Sequence, residues 1–261
     1  MNLIEFAKEN ILVLDGAMGT MLQNGHGVRE VHLAYLEAGV SVILTNTFNS
    51  PSNADITAAV QLAREAATGF DAFVVLDIAP SAHMLAPLGD LTLENAYADF
   101  KRQVIAGTAA GVDAIYIETM IDLCVAECAV RAAKENCDLP VVCTMSFEAN
   151  MHTFMGTDIP TMASRLTEAG ADFLGINCSV GPREMKKMAA ELMKWTHLPI
   201  IIKPNAGLPR FEGSKAVYDV TPEDFAAEME GLVDMGVAGI GGCCGTTPEF
   251  IRKLALIAKA R

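Results

Sequence analysis

The chain has 261 residues, 51% of them hydrophobic, and single α/β barrels commonly reach this length, so one domain with a large core over residues 1–261 is expected. Its 19 basic and 32 acidic residues give a net charge of −13, which disfavours binding to nucleic acid or to anionic membranes, because both require a basic face. No apolar run approaches the ~20 residues that a membrane-spanning helix needs.

Eight short apolar runs recur along the chain, and most are rich in β-branched residues. Runs of this length that are apolar on both faces are typical of strands in a parallel sheet with helices on either side. In chain order the predicted strands are 11–15, 41–46, 73–78, 113–118, 141–147, 172–177, 199–203 and 237–241.

Amphipathic stretches follow the apolar runs and predict eight helices. Several end in a glycine just before the next strand, the position of a left-handed helix cap, and two begin with Thr-Pro followed by acidic residues. The predicted helices are 29–38, 56–69, 93–110, 123–136, 159–169, 183–195, 223–235 and 249–259.

Eight strands alternating with eight helices predict an α/β fold, a (β/α)8 TIM barrel formed as a single domain. A doubly wound open sheet is the alternative. That fold usually has fewer strands and often carries a glycine-rich nucleotide loop after the first strand, whereas the sequence here is DGAMGT rather than GxGxxG.

Polar or thiol side chains occur at, or directly after, the C-terminal end of each predicted strand. In a barrel these ends form the face that carries the active site. One such residue would be unremarkable, but their recurrence is hard to explain by packing and indicates a functional site. They are Asp15, Asn46, Asp77, Glu118, Glu148, Asn177, Cys178, Lys203, Asn205, Cys243 and Cys244.

The seven cysteines fall into two groups. An odd number, together with an N-terminus whose charged residues argue against a signal peptide, indicates reduced thiols and a cytoplasmic location. Four of them are predicted to pack as small hydrophobic residues: Cys124, Cys128, Cys137 and Cys143. The other three lie at the ends of the sixth and eighth strands, which are close together on the rim of a barrel.

Cys178, Cys243 and Cys244 are candidate metal ligands. The glycines around the Cys243–Cys244 pair permit non-strand dihedral angles, so both thiols can face one point. Three thiolates would bind Zn²⁺ and leave a fourth position open, as in catalytic zinc sites. A phosphate-binding loop formed by GGCCGTTP is the alternative, although it would not explain the three cysteines.

An open position on a three-thiolate zinc centre favours a soft ligand such as a substrate thiol, which coordination deprotonates. Three thiolates make the centre negatively charged, so a bound substrate sulfur stays electron-rich. Alkyl transfer to that thiol is therefore the expected reaction, ahead of hydrolysis.

Several motifs resemble the homocysteine S-methyltransferase family. LDGAMGTMLQ, ILTNTF, GINCSVGP and GGCCGTTPEFI carry the resemblance, and GDLTLENAYADFKRQ, IYIETMIDL, KPNAGLP and VYDVTPEDFA extend it over essentially the whole chain. The set is most similar to the homocysteine-binding module of cobalamin-dependent methionine synthase. The resemblance implies a (β/α)8 barrel in which Cys178, Cys243 and Cys244 bind zinc, which in turn holds the acceptor thiol.

The resemblance also implies a substrate-binding set. Asp15 and Glu118 would hold the amino group of an amino-acid thiol, and the other members would place the rest of the substrate: Gly16, Ala17, Thr45, Asn46, Thr47 and Asn177. Structural roles are the alternatives, with Asp15 in a turn and Glu118 as a buried carboxylate paired with a base such as Lys203.

Two segments depart from the family pattern, because the chain is shorter after LDGAMGTMLQ and after TNTF. Both segments belong to the active face, so their shortening is expected to open the pocket or to change which thiol fits. The sequence contains no recognisable folate-binding or corrinoid-binding segment. The expected methyl donor is therefore methylcobalamin on a separate corrinoid protein, with a sulfonium such as S-methylmethionine as the alternative.

The leading prediction is a zinc-dependent S-methyltransferase that acts on homocysteine or a related small thiol. Two other functions stay open at this level. One is a barrel lyase or isomerase that forms a Schiff base on Lys203. The other is a non-catalytic zinc-binding or thiol-binding partner of a corrinoid system.

Overall fold

Eight parallel strands form one sheet in the computed structural model of the chain, which describes residues 1–49, 52–213 and 215–261. The apolar runs predicted from the sequence all form strands. Four of these strands end earlier than predicted, three end at the predicted residue, and the fourth strand extends two residues further. These strands are β1 (Leu12–Val13), β2 (Val42–Leu44), β3 (Phe73–Ile78), β4 (Ala114–Met120), β5 (Val141–Met145), β6 (Phe173–Asn177), β7 (Ile200–Lys203) and, after a hairpin, β10 (Gly239–Ile240).

The sheet closes on itself. Its strand order is β1-β10-β7-β6-β5-β4-β3-β2, and a parallel bridge between Leu14 and Val42 joins the two ends. The amide of Ser41 donates to the carbonyl of Val13 at 2.9 Å, and the amide of Asp15 donates to the carbonyl of Val42 at 3.2 Å. The predicted (β/α)8 barrel is therefore confirmed, and the open-sheet alternative is wrong.

The eight predicted helices all form on the outside of the barrel. The glycines that precede the second, fourth, sixth and eighth barrel strands have left-handed φ values of 93–99°, as a helix cap requires. No helix in the described ranges is long and apolar enough to cross a membrane. The helices are α3 (Val28–Ala38), α4 (Asn53–Ala66), α5 (Leu93–Ala110), α6 (Leu123–Asn136), α7 (Ile159–Glu168), α8 (Pro182–Leu192), α9 (Pro222–Asp234) and α10 (Pro248–Lys259).

Three elements were not predicted. The helix α1 (Leu3–Glu9) precedes the barrel and begins with a capping box of Asn2 and Glu5. A short helix, α2 (Gly19–Gln23), follows β1. An antiparallel hairpin of β8 (Arg210–Glu212) and β9 (Lys215–Val217) follows β7.

The barrel has an inner and an outer core. Inside, side chains from β1 to β7 form an apolar cluster, which α1 closes at the N-terminal end of the strands through the buried Leu3. Phe6 of α1 also packs edge-to-face on Phe73, with ring centroids 5.6 Å apart. The outer core lies between the strands and the surrounding helices. With its interior filled at the N-terminal ends of the strands, the barrel leaves its central opening at their C-terminal ends.

The four cysteines predicted to pack in the core differ in their burial. Cys128 and Cys143 are buried and Cys137 is half-buried, as expected. Cys124 is exposed, so the prediction was wrong for this residue. The physical reason is its position on α6, because the buried face of that helix includes its neighbours Leu123 and Val125 and leaves Cys124 toward solvent.

Candidate functional site

The three cysteines singled out from the sequence meet at one point on the rim. The Sγ atoms of Cys178, Cys243 and Cys244 all lie within 4.8 Å of one another. Cys178 directly follows β6, whereas the other two lie a few residues after β10. The strand order places only β7 between these two strands, which explains how residues 65 positions apart in sequence come together.

The backbone around the thiols is held in unusual conformations. Cys178 and Ser179 have φ values of 64° and 59°, in the left-handed region that non-glycine residues rarely adopt. Main-chain hydrogen bonds hold both thiol segments. The amide of Cys178 donates to Lys203 (3.0 Å), the amide of Cys243 donates to Pro204 (2.8 Å), and the carbonyl of Cys244 accepts from Ala206 (2.9 Å). The segment after β7 therefore joins the two cysteine-bearing loops.

The three thiols influence one another strongly. Hydrogen bonding from Cys178 and Cys243 lowers the pKa of the Cys244 thiol, whereas donation to its two neighbours raises the pKa of Cys243 well above its ordinary value. The cluster thus has one thiol that ionises readily and two that supply hydrogen bonds to it. A cation that replaced the thiol protons would interact favourably with all three sulfurs at once.

This donor set fits a zinc ion. Zn–S distances of about 2.3 Å in a tetrahedral site place the sulfurs about 3.8 Å apart, which is compatible with three sulfurs that all lie within 4.8 Å of one another. Three soft sulfur donors favour Zn²⁺ over harder ions such as Mg²⁺. Three ligands also leave one tetrahedral position for another molecule.

A cavity of about 300 Å³ opens beside the thiols. Most of the predicted site residues line it, and Asn46 among them is exposed at its mouth. Those lining the cavity are Asp15, Gly16, Ala17, Thr45, Asn46, Glu118, Cys178, Cys243 and Cys244. A volume of this size can hold a small aliphatic thiol.

Two predicted substrate residues, Thr47 and Asn177, do not line the cavity. The hydroxyl of Thr47 donates to the carbonyl of Asp77 at 2.6 Å, and thus ties the end of β2 to β3. The side-chain oxygen of Asn177 accepts from the amide of Thr119 (2.8 Å) and from the hydroxyl of Thr144 (2.7 Å), and its amide group donates to the Thr119 hydroxyl (2.7 Å). Both side chains therefore hold the wall of the cavity from behind.

The turn after β1 depends on a glycine. A Cβ added to Gly16 would lie 2.6 Å from the Oγ1 of Thr246 and 2.8 Å from the hydroxyl of Tyr35. Those two side chains fix the turn, because the amide of Ala17 donates to the Thr246 oxygen (3.2 Å) and the Tyr35 hydroxyl donates to the Ala17 carbonyl (2.9 Å). Since Thr246 follows the cysteine pair, it links the turn to the thiol cluster.

Beneath the cavity lies a buried ionic group. The Nζ of Lys203 is 3.5 Å from Asp15 Oδ1 and 3.4 Å from Glu118 Oε2, and all three side chains are at least nine-tenths buried. The ammonium also lies 5.3 Å from the centre of the Tyr116 ring. Glu118 is therefore paired with Lys203, as expected if its role is structural, and Asp15 shares the same lysine.

The pKa values of this group are set by burial and by mutual charge. Burial raises the pKa of Asp15 to about 6, against the opposing effect of Lys203. Burial lowers the pKa of Lys203, but Glu118 and Asp15 outweigh it, so the net pKa lies well above the ordinary value. Burial and the nearby Glu118 raise the pKa of Asp77 well above its ordinary value, which favours its neutral form. The lysine is therefore a fixed ammonium between two carboxylates.

Other strand-end residues have different positions. Asp77 and Lys203 line the cavity, whereas Glu148 and Asn205 are not among its lining residues. Sequence reasoning did not single out Thr119, which lines the cavity with a left-handed φ of 61°. It also missed Thr246, Tyr35 and Tyr218, whose ring lies so close to Gly245 that a Cβ there would be 2.3 Å from it. Only the TTP cap after the cysteine pair gave a local signal for Thr246.

A barrel that carries three convergent thiols at the C-terminal ends of its strands belongs to the class of α/β barrels with a candidate metal site on that face. The particular family is shown by a family model: residues 12–258 match homocysteine S-methyltransferase, and the chain belongs to this family. The family recognised from the motifs is thereby confirmed.

Relatives and solved structures add detail. Methionine synthases of Mycobacterium leprae and Mycobacterium tuberculosis are each 27% identical over 301 residues, covering 97% of this chain and 25% of each relative. The chain thus spans about a quarter of the length of these relatives. Because the alignment is 301 residues long and the chain has 261, at least 40 residues of the relatives have no counterpart here.

A crystal structure of the homocysteine methyltransferase MmuM from Escherichia coli, in its metallated form, has the same fold. It superposes with a TM-score of 0.80 at 23% identity and covers 97% of this chain and 98% of its own. The likeness extends over the whole barrel.

The segment after TNTF, which was predicted to be shortened, begins at residue 50. Its first two residues, 50 and 51, lie outside those that the structure describes.

Proposed function

We propose that this protein is a zinc-dependent S-methyltransferase that binds a small homocysteine-like thiol and methylates its sulfur. The observation that carries the proposal is the convergence of three thiol sulfurs, within 4.8 Å of one another, beside a cavity of about 300 Å³. Cys178, Cys243 and Cys244 would hold the ion. Membership of the family and the names of the relatives, methionine synthase and homocysteine methyltransferase, support the same reaction class.

When bound there, Zn²⁺ would lower the pKa of an acceptor thiol and keep it as a thiolate at neutral pH. The reaction forms a bond between the acceptor sulfur and the methyl carbon and breaks the bond from that carbon to the donor. The thiol proton leaves to solvent. The chain's own residues supply position: Asn177 holds Thr119, while Thr246 and Tyr35 hold the turn at Gly16. The surrounding buried walls limit the access of water to the reacting sulfur.

The proposed donor is methylcobalamin carried by a separate corrinoid protein, with S-methylmethionine as the alternative. Large apolar side chains are exposed on the segments that follow β2, β3, β5 and β7, on the same face as the thiols: Phe48, Leu88, Phe154, Leu208 and, in β8, Phe211. Exposed apolar groups on several loops of one face favour a partner protein over a purely aqueous donor. The seven free thiols suit a reducing cytoplasm.

The Schiff-base lyase is a weaker candidate. A lysine that attacks a carbonyl must be a neutral amine, and Asp15 and Glu118 hold Lys203 as a buried ammonium. A lyase reaction on Lys203 would also not use the three thiols, so their convergence would have no explanation.

The test is a methyl-transfer assay on zinc-loaded protein with a panel of small thiols. Free methylcobalamin and S-methylmethionine are compared as donors, and loss of methylcobalamin is followed by absorbance. We expect about one zinc per chain and thiol-dependent demethylation. Cys178→Ser should lose the zinc and at least 100-fold of the rate, because one of three ligands is removed. Cys124→Ser, at an exposed cysteine, is the matched control and should retain both.

Two results would contradict this proposal. One is a fully zinc-loaded protein that methylates no thiol with any donor. The other is a Cys178→Ser variant whose metal content and rate equal those of the control.

A further inference from the structure

The two carboxylates that would hold a substrate amino group already have an ammonium between them. Lys203 Nζ lies 3.5 Å from Asp15 Oδ1 and 3.4 Å from Glu118 Oε2. The lysine side chain is 3% exposed, so water does not screen these contacts appreciably. The protein itself thus supplies, at this position, the charge that an amino-acid thiol would bring.

A second ammonium at this carboxylate pair would lie beside the lysine. Asp15 Oδ2 accepts a hydrogen bond from the amide of Leu44 at 2.8 Å, and Asp15 Oδ1, which is buried and has no hydrogen-bond partner, lies 3.5 Å from the Nζ of Lys203. Glu118 retains its second oxygen, Oε1. The next carboxyl, Asp77, is favoured in its neutral form because burial and Glu118 raise its pKa. A substrate amino group would therefore have to share both Asp15 and Glu118 with the ammonium of Lys203.

Lys203 is not easily displaced. It is the last residue of β7, its Cα is paired in register with Asn177 of β6, and its carbonyl accepts from the amide of Cys178. Its ammonium faces the ring of Tyr116 in the interior of the barrel. A second ammonium bound at the same pair would experience the like charge of Nζ at close range in a buried site.

Resting on the proposed function, we propose that Lys203 is a specificity-determining residue that takes the place of the substrate amino group. The preferred acceptor is then a small aliphatic thiol without an α-amino group. In chemical terms, the site is built for a desamino analogue of homocysteine.

The test compares two thiols that differ only in the amino group, homocysteine and 4-mercaptobutanoate. Each is titrated into protein loaded with Co²⁺, whose sulfur-to-metal absorption band reports thiol binding directly, without turnover. We expect the wild type to bind 4-mercaptobutanoate at least as tightly as homocysteine. Lys203→Met vacates the carboxylate pair and should move the ratio of affinities at least 10-fold toward homocysteine. Lys187→Met, at an exposed lysine of α8, is the control.

The ratio of the two thiol affinities in the wild type tests the role of Lys203 even if Lys203→Met does not fold. Tighter binding of homocysteine by 10-fold or more in the wild type would overturn the role of Lys203 while leaving the methyltransferase proposal intact. An absorption band that neither thiol perturbs, in fully loaded protein, would instead overturn the proposed function and this inference with it.

Discussion

His32 of α3 is fully buried, and neither of its ring nitrogens has a hydrogen-bond partner. Burial lowers the pKa of its imidazole to about 4, below the ordinary value of 6.5. Between pH 6.5 and pH 4, His32 binds a proton in the unfolded chain but stays neutral in the folded chain. The free energy of unfolding therefore falls as the pH falls from about 6.5 to about 4.

Replacing this residue should remove that acid sensitivity. Between pH 7 and pH 5 the linkage costs the wild type about 2 kcal/mol, which His32→Leu should not lose. The variant should be close to the wild type in stability at pH 7, because it removes a buried polar group without a partner. Urea unfolding at the two pH values measures this, with the exposed His197→Leu as the control. Equal losses in wild type and His32→Leu would contradict the assignment.

Residue types and their positions after strands were enough to predict the thiol cluster. The individual conformations were not predictable. Thr119 and Cys178 adopt left-handed φ values, and nothing in their own side chains favours this. Asn177 stabilises Thr119 from 58 residues away through two hydrogen bonds, a relation that exists only in the folded chain. Asn177 was predicted to contact substrate, and nothing in the sequence indicated its hydrogen bonds to Thr119.

At the scale of elements, α1 shows how tertiary contacts stabilise a short helix. A seven-residue helix is marginal alone, so its sequence gave only a weak signal. Its Leu3 closes the inner core of the barrel and is 1% exposed. Leu3→Ala should lower the free energy of unfolding by about 2–4 kcal/mol, because a cavity remains where the side chain was.

Chemical denaturation of Leu3→Ala tests the role of α1. The matched control is Leu256→Ala on α10, where the leucine is 64% exposed and the change should stay within about 0.5 kcal/mol. If the two variants lost the same stability, α1 would not be part of the core.

The barrel strands and their helices were predictable because both have strong local patterns. Buried parallel strands are continuous apolar runs, and the bounds predicted for α5 and α6 agree with the structure. The hairpin of β8 and β9 was not predicted. Its first strand is exposed on both faces, so its sequence does not show the continuous apolar run that predicts a buried strand. The ends of β1, β2 and β5 were predicted two residues too long, because those residues belong to the following loops, whereas β4 continues two residues past its predicted end.

At the scale of the whole molecule, topology brings the site together. A closed parallel barrel places all strand C-termini on one rim, so Asp15, Glu118 and Lys203 were expected near one another. Their shared ion-pair arrangement depends on side-chain conformations and was only partly anticipated, as the pairing of Glu118 with a base. The sequence therefore predicts which residues meet, and the structure shows which contacts they use.

In the proposed function, Cys178, Cys243 and Cys244 bind one zinc ion and leave a position for an acceptor sulfur. X-ray absorption at the zinc edge tests it most directly, because it counts sulfur neighbours at about 2.3 Å. We predict three sulfur neighbours and one lighter atom in the zinc-loaded protein, and four sulfur neighbours once an accepted thiol is added. Fewer than three sulfurs without thiol, or a count that stays unchanged when thiol is added, would contradict the account.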